Sequence, residues 1–373
     1  MMPSLFKAAA GMLSAVLLAA CSSTDKPKPT PLETFAPTIA GRAVWNVRLP
    51  GSAVAMTPVV RNGVLFAAAG DGTVLALQAD TGAEIWRASA GSALAAGVGS
   101  DGRFTSVVTR GNEVVTFDAG RELWRKRLPS SVVTAPLVAG ERVFVMSVDR
   151  AVHAFDAIDG RRLWVQQRPG GALTLAQSSV VVAFGNTLLV GQGPRLAALD
   201  PLRGTVLWEV PLAAPRGTNE VERLADLVGP AVRIGDRVCA RAFQSAVACA
   251  DASKGTALWS RNVGGVNAVA SDNERVFGAD ASDRISAWRT NNGDVSWTSE
   301  KLLYRGLSGA LSVGPSVVFG DREGYLHFLS AADGTPQLRL PTDGSAIVGT
   351  PVISDTTMIA VTRNGGLFAF RPN

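Results

Sequence analysis

The chain has 373 residues, of which 47% are hydrophobic and 18% charged, and its formal net charge at pH 7 is +5. No basic run with interleaved aromatic residues is present, so we interpret the positive balance as a mildly basic surface and exclude nucleic acid as a partner. The 39 glycines and 20 prolines punctuate the chain at turn spacing, and no apolar i, i+3, i+4 pattern persists for three turns, which excludes an all-helical fold.

Residues 1–20 have the organisation of a secretory signal peptide. Lys7 supplies a short charged region, residues 8–20 are mainly apolar, and small residues precede Cys21. This apolar run is too short for a comfortable membrane span. The sequence Leu18-Ala19-Ala20-Cys21 resembles the lipobox of bacterial lipoproteins. The resemblance implies that Cys21 becomes the lipidated first residue of the mature chain.

Residues 21–40 are expected to comprise the lipidated cysteine and a flexible tether. The stretch 22–37 holds serine, threonine, lysine and four prolines, a composition that cannot build a core. Acyl chains contribute about 0.8 kcal/mol per buried methylene, so several chains on Cys21 would anchor the protein without a spanning helix. Ser22 after the cysteine resembles the sorting signal for the outer membrane of Gram-negative bacteria. It implies a lipid anchor in the leaflet that faces the periplasm.

The rest of the chain, residues 41–373, contains a repeat of about 40 residues built on Gly-x-x-x-Trp. An eighth copy keeps the glycine, Gly334, and has Leu338 in place of tryptophan. The aromatic positions of the other seven copies are Trp45, Trp86, Trp124, Trp164, Trp208, Trp259 and Trp297.

Each period predicts four short strands. In the first full period they cover residues 57–60, 64–69, 73–77 and 84–87, and glycine-containing turns join the later ones. Four strands in about 40 residues are typical of a propeller blade. A β-sandwich would not require one tryptophan per period.

The two ends of the repeat region complement each other. Trp45 lies in an outer strand with no blade before it, whereas the chain ends in three strands near 351–353, 358–362 and 366–370. We predict that the N-terminal strand completes the last blade, which leaves no open sheet edge at the seam. The predicted fold is therefore all-β, a single eight-bladed β-propeller of four-stranded antiparallel blades over residues 41–373.

A fuller form of the repeat, Asp-x-x-x-Gly-x-x-x-Trp, starts at Asp156, Asp200 and Asp251. It resembles the tryptophan-docking repeat of the PQQ-dependent quinoprotein alcohol dehydrogenases. The resemblance implies that each indole, and Leu338 in the eighth copy, packs against the neighbouring blade. It also makes a quinoprotein oxidoreductase the alternative function.

Several features argue against that enzyme class. Such dehydrogenases use a disulfide between adjacent cysteines and a calcium ion held by carboxylates, and the sequence has no Cys-Cys pair and no Glu, Asn and Asp cluster at calcium-ligand spacing. His153 and His327, the only histidines, are predicted to be sheet-face residues. We therefore predict no catalytic activity, no cofactor and no metal site.

Cys239 and Cys249 are the only cysteines of the predicted propeller, and they flank a turn near residues 243–246. The register of the two strands decides whether the cysteines can pair. If the residue numbers of each pair of opposed residues sum to 488, Cys239 and Cys249 face each other and can form a disulfide. A two-residue turn at Gln244 and Ser245 gives a sum of 489 and places them on opposite faces. The second register is the preferred interpretation, so no disulfide is predicted.

The lipobox, the tether and an eight-bladed propeller of this repeat together resemble the BamB family, lipoproteins of the outer-membrane β-barrel assembly machinery. Residues 217–226 are similar to that family's Gly-x-x-Glu-Ile-Asp-Arg-Leu-x-Asp segment, and residues 320–327 to its Gly-Asp-x-Glu-Gly-Tyr-Leu-His segment. The resemblance implies a non-catalytic scaffold that binds the periplasmic POTRA domains of BamA, the barrel-forming component. Nascent outer-membrane proteins are a second class of partner that it implies.

Two long connections between blades predict a binding surface without reference to any family. The connection after Trp164 carries Leu173 and Leu175, and the one after Trp208 has its excess length in residues 213–228. All connections from an outer strand to the next inner strand lie on one face, so both loops should flank the fourth blade there. An apolar pair beside a charged rim is typical of a small protein-binding patch. The predicted rim consists of Glu220, Glu222, Arg223 and Asp226.

The BamB resemblance implies that the matching loops contact the POTRA domains through a Leu-x-Leu-Arg segment and an Asp-x-Asp pair. This chain keeps Leu173, Leu175 and Asp226, but it has Ala176 in place of the arginine and Val228 in place of the second aspartate. The polar half of the interface is therefore expected to differ from the family pattern. The alternative is that the leucines pack under their own loop and the charges are only solvated.

Overall fold

The computed structural model describes residues 27–50, 57–168 and 173–373. The predicted signal peptide, residues 1–20, and Cys21 lie outside the described residues. Within those ranges, thirty-two β-strands form eight four-stranded sheets whose neighbouring strands are antiparallel. No helix in these ranges is long and apolar enough to cross a membrane. The predicted eight-bladed β-propeller is confirmed.

Each of the first seven blades follows the chain from the innermost to the outermost strand. The strands of blades one to four are β2 (Val59–Arg61), β3 (Val64–Ala68), β4 (Thr73–Gln78), β5 (Glu84–Ser89); β6 (Gly99–Ser100), β7 (Phe104–Val108), β8 (Glu113–Asp118), β9 (Arg121–Arg127); β10 (Leu137–Ala139), β11 (Arg142–Met146), β12 (Val152–Asp156), β13 (Arg162–Gln166); β14 (Val181–Phe184), β15 (Thr187–Gln192), β16 (Arg195–Leu199) and β17 (Val206–Pro211).

The eighth blade is composite, since its outermost strand is the first strand of the chain. The strands of blades five to eight are β18 (Leu227–Ile234), β19 (Arg237–Ala242), β20 (Ala246–Asp251), β21 (Thr256–Arg261); β22 (Ala270–Ser271), β23 (Arg275–Ala279), β24 (Ile285–Arg289), β25 (Val295–Ser299); β26 (Leu311–Val313), β27 (Ser316–Gly320), β28 (Tyr325–Ser330), β29 (Pro336–Pro341); β30 (Ile347–Ser354), β31 (Thr357–Thr362), β32 (Gly366–Pro372) and β1 (Gly41–Arg48).

Turn chemistry and burial explain why each period folds into a blade. Asn62 and Gly63, both with positive φ, form the two-residue turn between β2 and β3, as expected for a hairpin turn that matches strand twist. The two middle strands of a blade are buried on both faces, because blades stack face to face. The innermost strands of neighbouring blades contact one another around the axis, including β2 with β30.

The ring is closed by both ends of the chain, as the sequence predicted. Strand β1 pairs antiparallel with β32, with Gly41 opposite Pro372 and Trp45 opposite Ala369. The pairing contains a register shift between Ala43 and Trp45. The two ends of the chain therefore form one complete four-stranded sheet, and no open sheet edge is left at the seam.

The repeat tryptophans lie against the repeat glycines of the next blade. A methyl group on Gly255, whose φ is 66°, would come within 2.5 Å of the Trp208 ring, so the close approach requires glycine. In the described residues, five indole nitrogens also donate to a carbonyl of the next blade, 2.9 to 3.1 Å away; the donors are Trp45, Trp124, Trp164, Trp259 and Trp297. The indoles thus join neighbouring blades at seven of the eight interfaces.

The described residues before β1, which belong to the predicted tether of residues 21–40, include positions that contact the seventh blade. Thr30 N–H donates to the Leu303 carbonyl and Thr38 N–H to the Gln337 carbonyl, each at 3.0 Å. Ile39 packs in the same apolar cluster as Leu338, between blades seven and eight. An isoleucine and a leucine thus lie at the one blade interface where the repeat lacks its indole.

The prediction that Cys239 and Cys249 remain unpaired is wrong. Ala242 lies opposite Ala246, so three residues rather than two form the turn, and Gln244 has a φ of 47°. This register places Cys239 directly opposite Cys249, and their Sγ atoms are bonded. Both cysteines are buried in the cluster between blades five and six.

In a Cys21→Ser background, we expect unfolded protein to resist thiol labelling without reductant and to label at both remaining cysteines after reduction. Replacing Cys239 and Cys249 with alanine should lower the free energy of unfolding by about 2–3 kcal/mol, because the disulfide closes a loop of roughly ten residues. Denaturant melts of the paired variants measure this. Full labelling of the unreduced protein would show that the disulfide does not form.

Candidate docking surface on the fourth blade

The two long loops meet on one face of the fourth blade. The first loop follows β13 and the second follows β17. Leu175 N–H of the first donates to Asp226 Oδ2 of the second at 2.8 Å, although the two residues are 51 positions apart. We call Leu173, Leu175, Val221 and Arg223 the docking surface. The structure therefore brings together the two loops that the sequence placed on one face.

Asp226 differs from the exposed rim position expected for it, because its side chain is only 9% exposed. One carboxylate oxygen accepts from Leu175, and the other lies 3.1 Å from Arg150 Nη2. Arg150 belongs to the turn between β11 and β12 of the third blade. Asp226 therefore ties three chain segments together. Sequence reasoning missed Arg150, because nothing in its own turn marks it as a contact of the later loop.

The apolar part of the docking surface is accessible. Leu173 is 40% exposed and Val221 67% exposed, whereas Leu175 is half-buried. Leu173 thus does not pack under its own loop, while its carbonyl lies 3.4 Å from Arg150 Nη2. Val221, which the sequence analysis did not select, is the more exposed of these apolar side chains. It lies between Glu220 and Glu222, in the charged part of the second loop.

The family-like segment from Gly217 onward is a self-contained turn. Glu222 accepts from Thr218 N–H at 2.7 Å and from Thr218 Oγ1 at 3.1 Å, and these hydrogen bonds hold the pKa of Glu222 below its ordinary value. Arg223 Nε donates to the Gly217 carbonyl at 3.1 Å. Gly217 has a φ of 138°. Glu220, Glu222 and Arg223 are all exposed, so this part of the predicted rim does face solvent.

The two positions that depart from the family pattern differ in their surroundings. Ala176 is exposed beside the leucines, whereas Val228 is buried in β18 opposite Arg241. Arg241 itself is fully buried and donates to four backbone carbonyls, at Val263, Gly264, Asn267 and Ala279. Burial lowers the pKa of Arg241 to about 10. Of the two departures from the family pattern, therefore, only Ala176 lies on the outer surface.

The second family-like segment, residues 320–327, forms a buried polar cluster in the seventh blade. Asp321 lies 2.9 Å from His327 Nε2 and 2.8 Å from Arg305 Nε. Burial lowers the pKa of His327 against the opposing effect of Asp321, and Arg339 Nε lies 3.4 Å from the other ring nitrogen, Nδ1. Arg305 also donates to the Thr30 carbonyl, which attaches the N-terminal segment to this cluster. The segment has a structural role here.

Two further regions are candidate sites. The axial end of the ring contains a cavity of about 480 Å³ lined mainly by small side chains and backbone of the inner strands. Gln177 Nε2 donates to the Val266 carbonyl at 2.6 Å, so the first docking loop reaches across the cavity toward the sixth blade. His153 is buried in β12. In the described ranges, no three His, Cys, Asp or Glu side chains are grouped to hold a metal ion.

The sequence matches a family model described as outer membrane protein assembly factor BamB, over residues 37–87 and 70–299. A protein of that name from Burkholderia pseudomallei is 35% identical over 363 residues, covering 96% of this chain and 95% of the relative. Another from Bordetella pertussis is 35% identical and covers 94% of this chain and 92% of its own length. The protein of that name from Escherichia coli is 26% identical, with 96% and 97% coverage.

Solved structures share the fold. BamB from Moraxella catarrhalis superposes with a TM-score of 0.81 at 21% identity, covering 89% of this chain and all of that one. Quinohemoprotein alcohol dehydrogenase from Comamonas testosteroni superposes with a TM-score of 0.69 at 16% identity, covering 89% of this chain and 76% of that chain. At these identities the likeness is one of architecture, which an assembly factor and a dehydrogenase have in common.

Proposed function

The chain belongs to the family of the outer membrane protein assembly factor BamB, and on that premise we propose that it is a non-catalytic scaffold of the outer-membrane β-barrel assembly machinery. Its relatives carry that name over nearly the whole chain. The observation that supports a docking role is the meeting of the two long loops at Leu175 and Asp226, which presents Leu173 and Val221 to solvent.

The partner is the set of periplasmic POTRA domains of a BamA-like barrel protein. An exposed leucine and valine beside Glu220, Glu222 and Arg223 form a small apolar centre with a polar rim, the composition of protein interfaces. The two loops are joined through the largely buried carboxylate of Asp226, so the surface is preformed and binding orders few side chains. The scaffold thereby helps nascent outer-membrane proteins to reach the machinery.

Purification of the full-length protein in mild detergent tests this proposal. Recovery of a large β-barrel protein with POTRA domains is the expected result, and its absence at every detergent and salt condition tried would contradict the proposal. A quinoprotein oxidoreductase remains the competing function, because a dehydrogenase shares the architecture. Absorbance spectra after incubation with quinone and calcium distinguish the two, since a scaffold leaves the quinone spectrum unchanged.

The lipid anchor at Cys21 belongs to the same proposal. Thr30 is fixed to the ring, so the nine residues before it can span at most about 30 Å from an anchored cysteine. The ring should therefore remain close to the periplasmic face of the outer membrane.

We expect Cys21→Ser to release the protein into the soluble periplasmic fraction, because the acyl chains that hold it on the bilayer can no longer be attached. Membrane fractionation followed by immunoblotting measures this. Ser22→Ala is a matched control that keeps the cysteine and should stay with the membrane. Unchanged membrane association of the Cys21→Ser protein would contradict the anchor.

A further inference from the structure

Three arginines lie together beside the docking surface. Arg150 projects from the turn between β11 and β12, Arg168 follows β13, and Arg195 begins β16. Arg168 and Arg195 both form ion pairs with Glu209 of β17, and Arg150 pairs with Asp226. Burial lowers the pKa of Arg168, and the positive charges of Arg195 and Arg150 lower it further.

Three guanidinium groups of the cluster form ion pairs with two carboxylates, Glu209 and Asp226. The neighbouring Asp149 carboxylate accepts from Ser147 Oγ and Ala151 N–H of its own turn and, within the described residues, pairs with none of the three arginines. The side chains of Arg168 and Arg195 remain 31% and 37% exposed. Each guanidinium has five N–H donors in a fork, and one ion pair does not use all of them. Unused donors therefore face solvent beside the fourth blade.

The cluster adjoins the apolar part of the docking surface. Arg150 Nη2 lies 3.4 Å from the Leu173 carbonyl. Gly193, in the turn that leads to Arg195, lies against the same guanidinium, since a methyl group there would be 3.5 Å from Arg150 Cζ. Arg150 therefore links the arginine cluster to the apolar part of the docking surface.

We propose that Arg168 and Arg195, with Arg150 behind them, bind a carboxylate side chain of the segment that docks on Leu173 and Leu175. This inference rests on the proposed function and identifies the charge of the partner surface as acidic. Arginine forks match carboxylates in a bidentate way, and such charge-assisted pairs are stronger than neutral hydrogen bonds. Ala176 stands where the family pattern has an arginine. The three arginines of the cluster, which lie on other segments, supply positive charge in its place.

The test measures the Kd of the purified protein for purified POTRA domains of its barrel-forming partner. Arg168→Gln with Arg195→Gln should weaken binding about tenfold and reduce its salt dependence. Charge pairs across an interface contribute to affinity, and dissolved salt screens their attraction. The matched control is Arg103→Gln with Arg161→Gln, which breaks two arginine–aspartate pairs at the opposite ends of blades two and three. That control should bind like the wild type.

A second variant separates binding from a structural role. Glu209→Gln removes the carboxylate that Arg168 and Arg195 share, so it should tighten binding, whereas loss of a merely structural ion pair would weaken binding or leave it unchanged. Wild-type affinity and salt dependence in the double arginine variant, or weaker or unchanged binding of Glu209→Gln, would overturn the inference. Failure of the wild-type protein to bind would instead contradict the proposed function.

Discussion

Replacement of Leu173 and Leu175 with alanine should abolish binding to the POTRA domains and change the melting temperature by no more than about one or two degrees. Interface energy concentrates in a few central apolar residues, so removing this pair should matter more than changing a single charge on the rim. Leu173 is 40% exposed, which means that its side chain contributes little to the core.

The hydrogen bonds that position this loop use the backbone, and they survive the substitution. Leu175 N–H donates to Asp226 and the Leu173 carbonyl lies beside Arg150, so alanine keeps both contacts. The loop should therefore keep its shape while it loses its apolar surface. Pull-down and calorimetric titration with purified POTRA domains, together with thermal melts, measure the two effects separately.

The matched control is Leu202→Ala with Leu207→Ala. These leucines lie on the same blade, away from both docking loops, and are 61% and 53% exposed. Wild-type binding by this control and none by the docking variant is the expected pattern. Normal binding by the Leu173 and Leu175 variant would place the site elsewhere on the ring. If that variant unfolds, the two leucines belong to the core.

The architecture was predictable from sequence, because it depends on repeated local chemistry. A glycine recurs in each of the eight periods and a tryptophan in seven of them. Because the indole needs a neighbouring backbone without a side chain, this spacing predicts how the blades stack. The lone outer strand at Trp45 and the three strands at the other end imply their pairing in the same way, which β1 and β32 show. Trp288, outside the repeat, lies fully buried between blades five and six instead.

The contacts that the sequence did not predict are those that a single residue or a distant segment decides. One extra residue in the turn at Gln244 changes the register and brings Cys239 opposite Cys249. The tether composition is typical of a flexible chain, yet Thr30 and Ile39 find specific positions on the seventh blade. Asp226 is buried because Arg150, 76 residues earlier, pairs with it. The period of the repeat and the amino-acid composition of a segment do not predict such contacts.

We expect Trp259→Ala to lower the free energy of unfolding by about 3–5 kcal/mol, the range for large buried aromatic side chains. Trp259 is 7% exposed and its ring packs against Gly293 of the sixth blade. Its Nε1 donates to the Thr290 carbonyl at 2.9 Å, so the substitution also removes a hydrogen bond across the interface. Denaturant melts monitored by circular dichroism measure the change.

Trp259→Phe and Trp208→Ala separate the two contributions. Phenylalanine retains an aromatic ring against Gly293 but cannot donate to Thr290, so its cost should be smaller and include about 1–3 kcal/mol for the unpaired carbonyl. Trp208 packs as closely, on Gly255, but it is only partly buried and its indole nitrogen has no hydrogen-bond partner within the described residues. Trp208→Ala should therefore cost less than Trp259→Ala, and Trp208→Phe less than Trp259→Phe. Equal losses at the two positions would mean that packing alone sets the strength of the blade interface, and full stability of Trp259→Ala would show that the indoles do not join the blades.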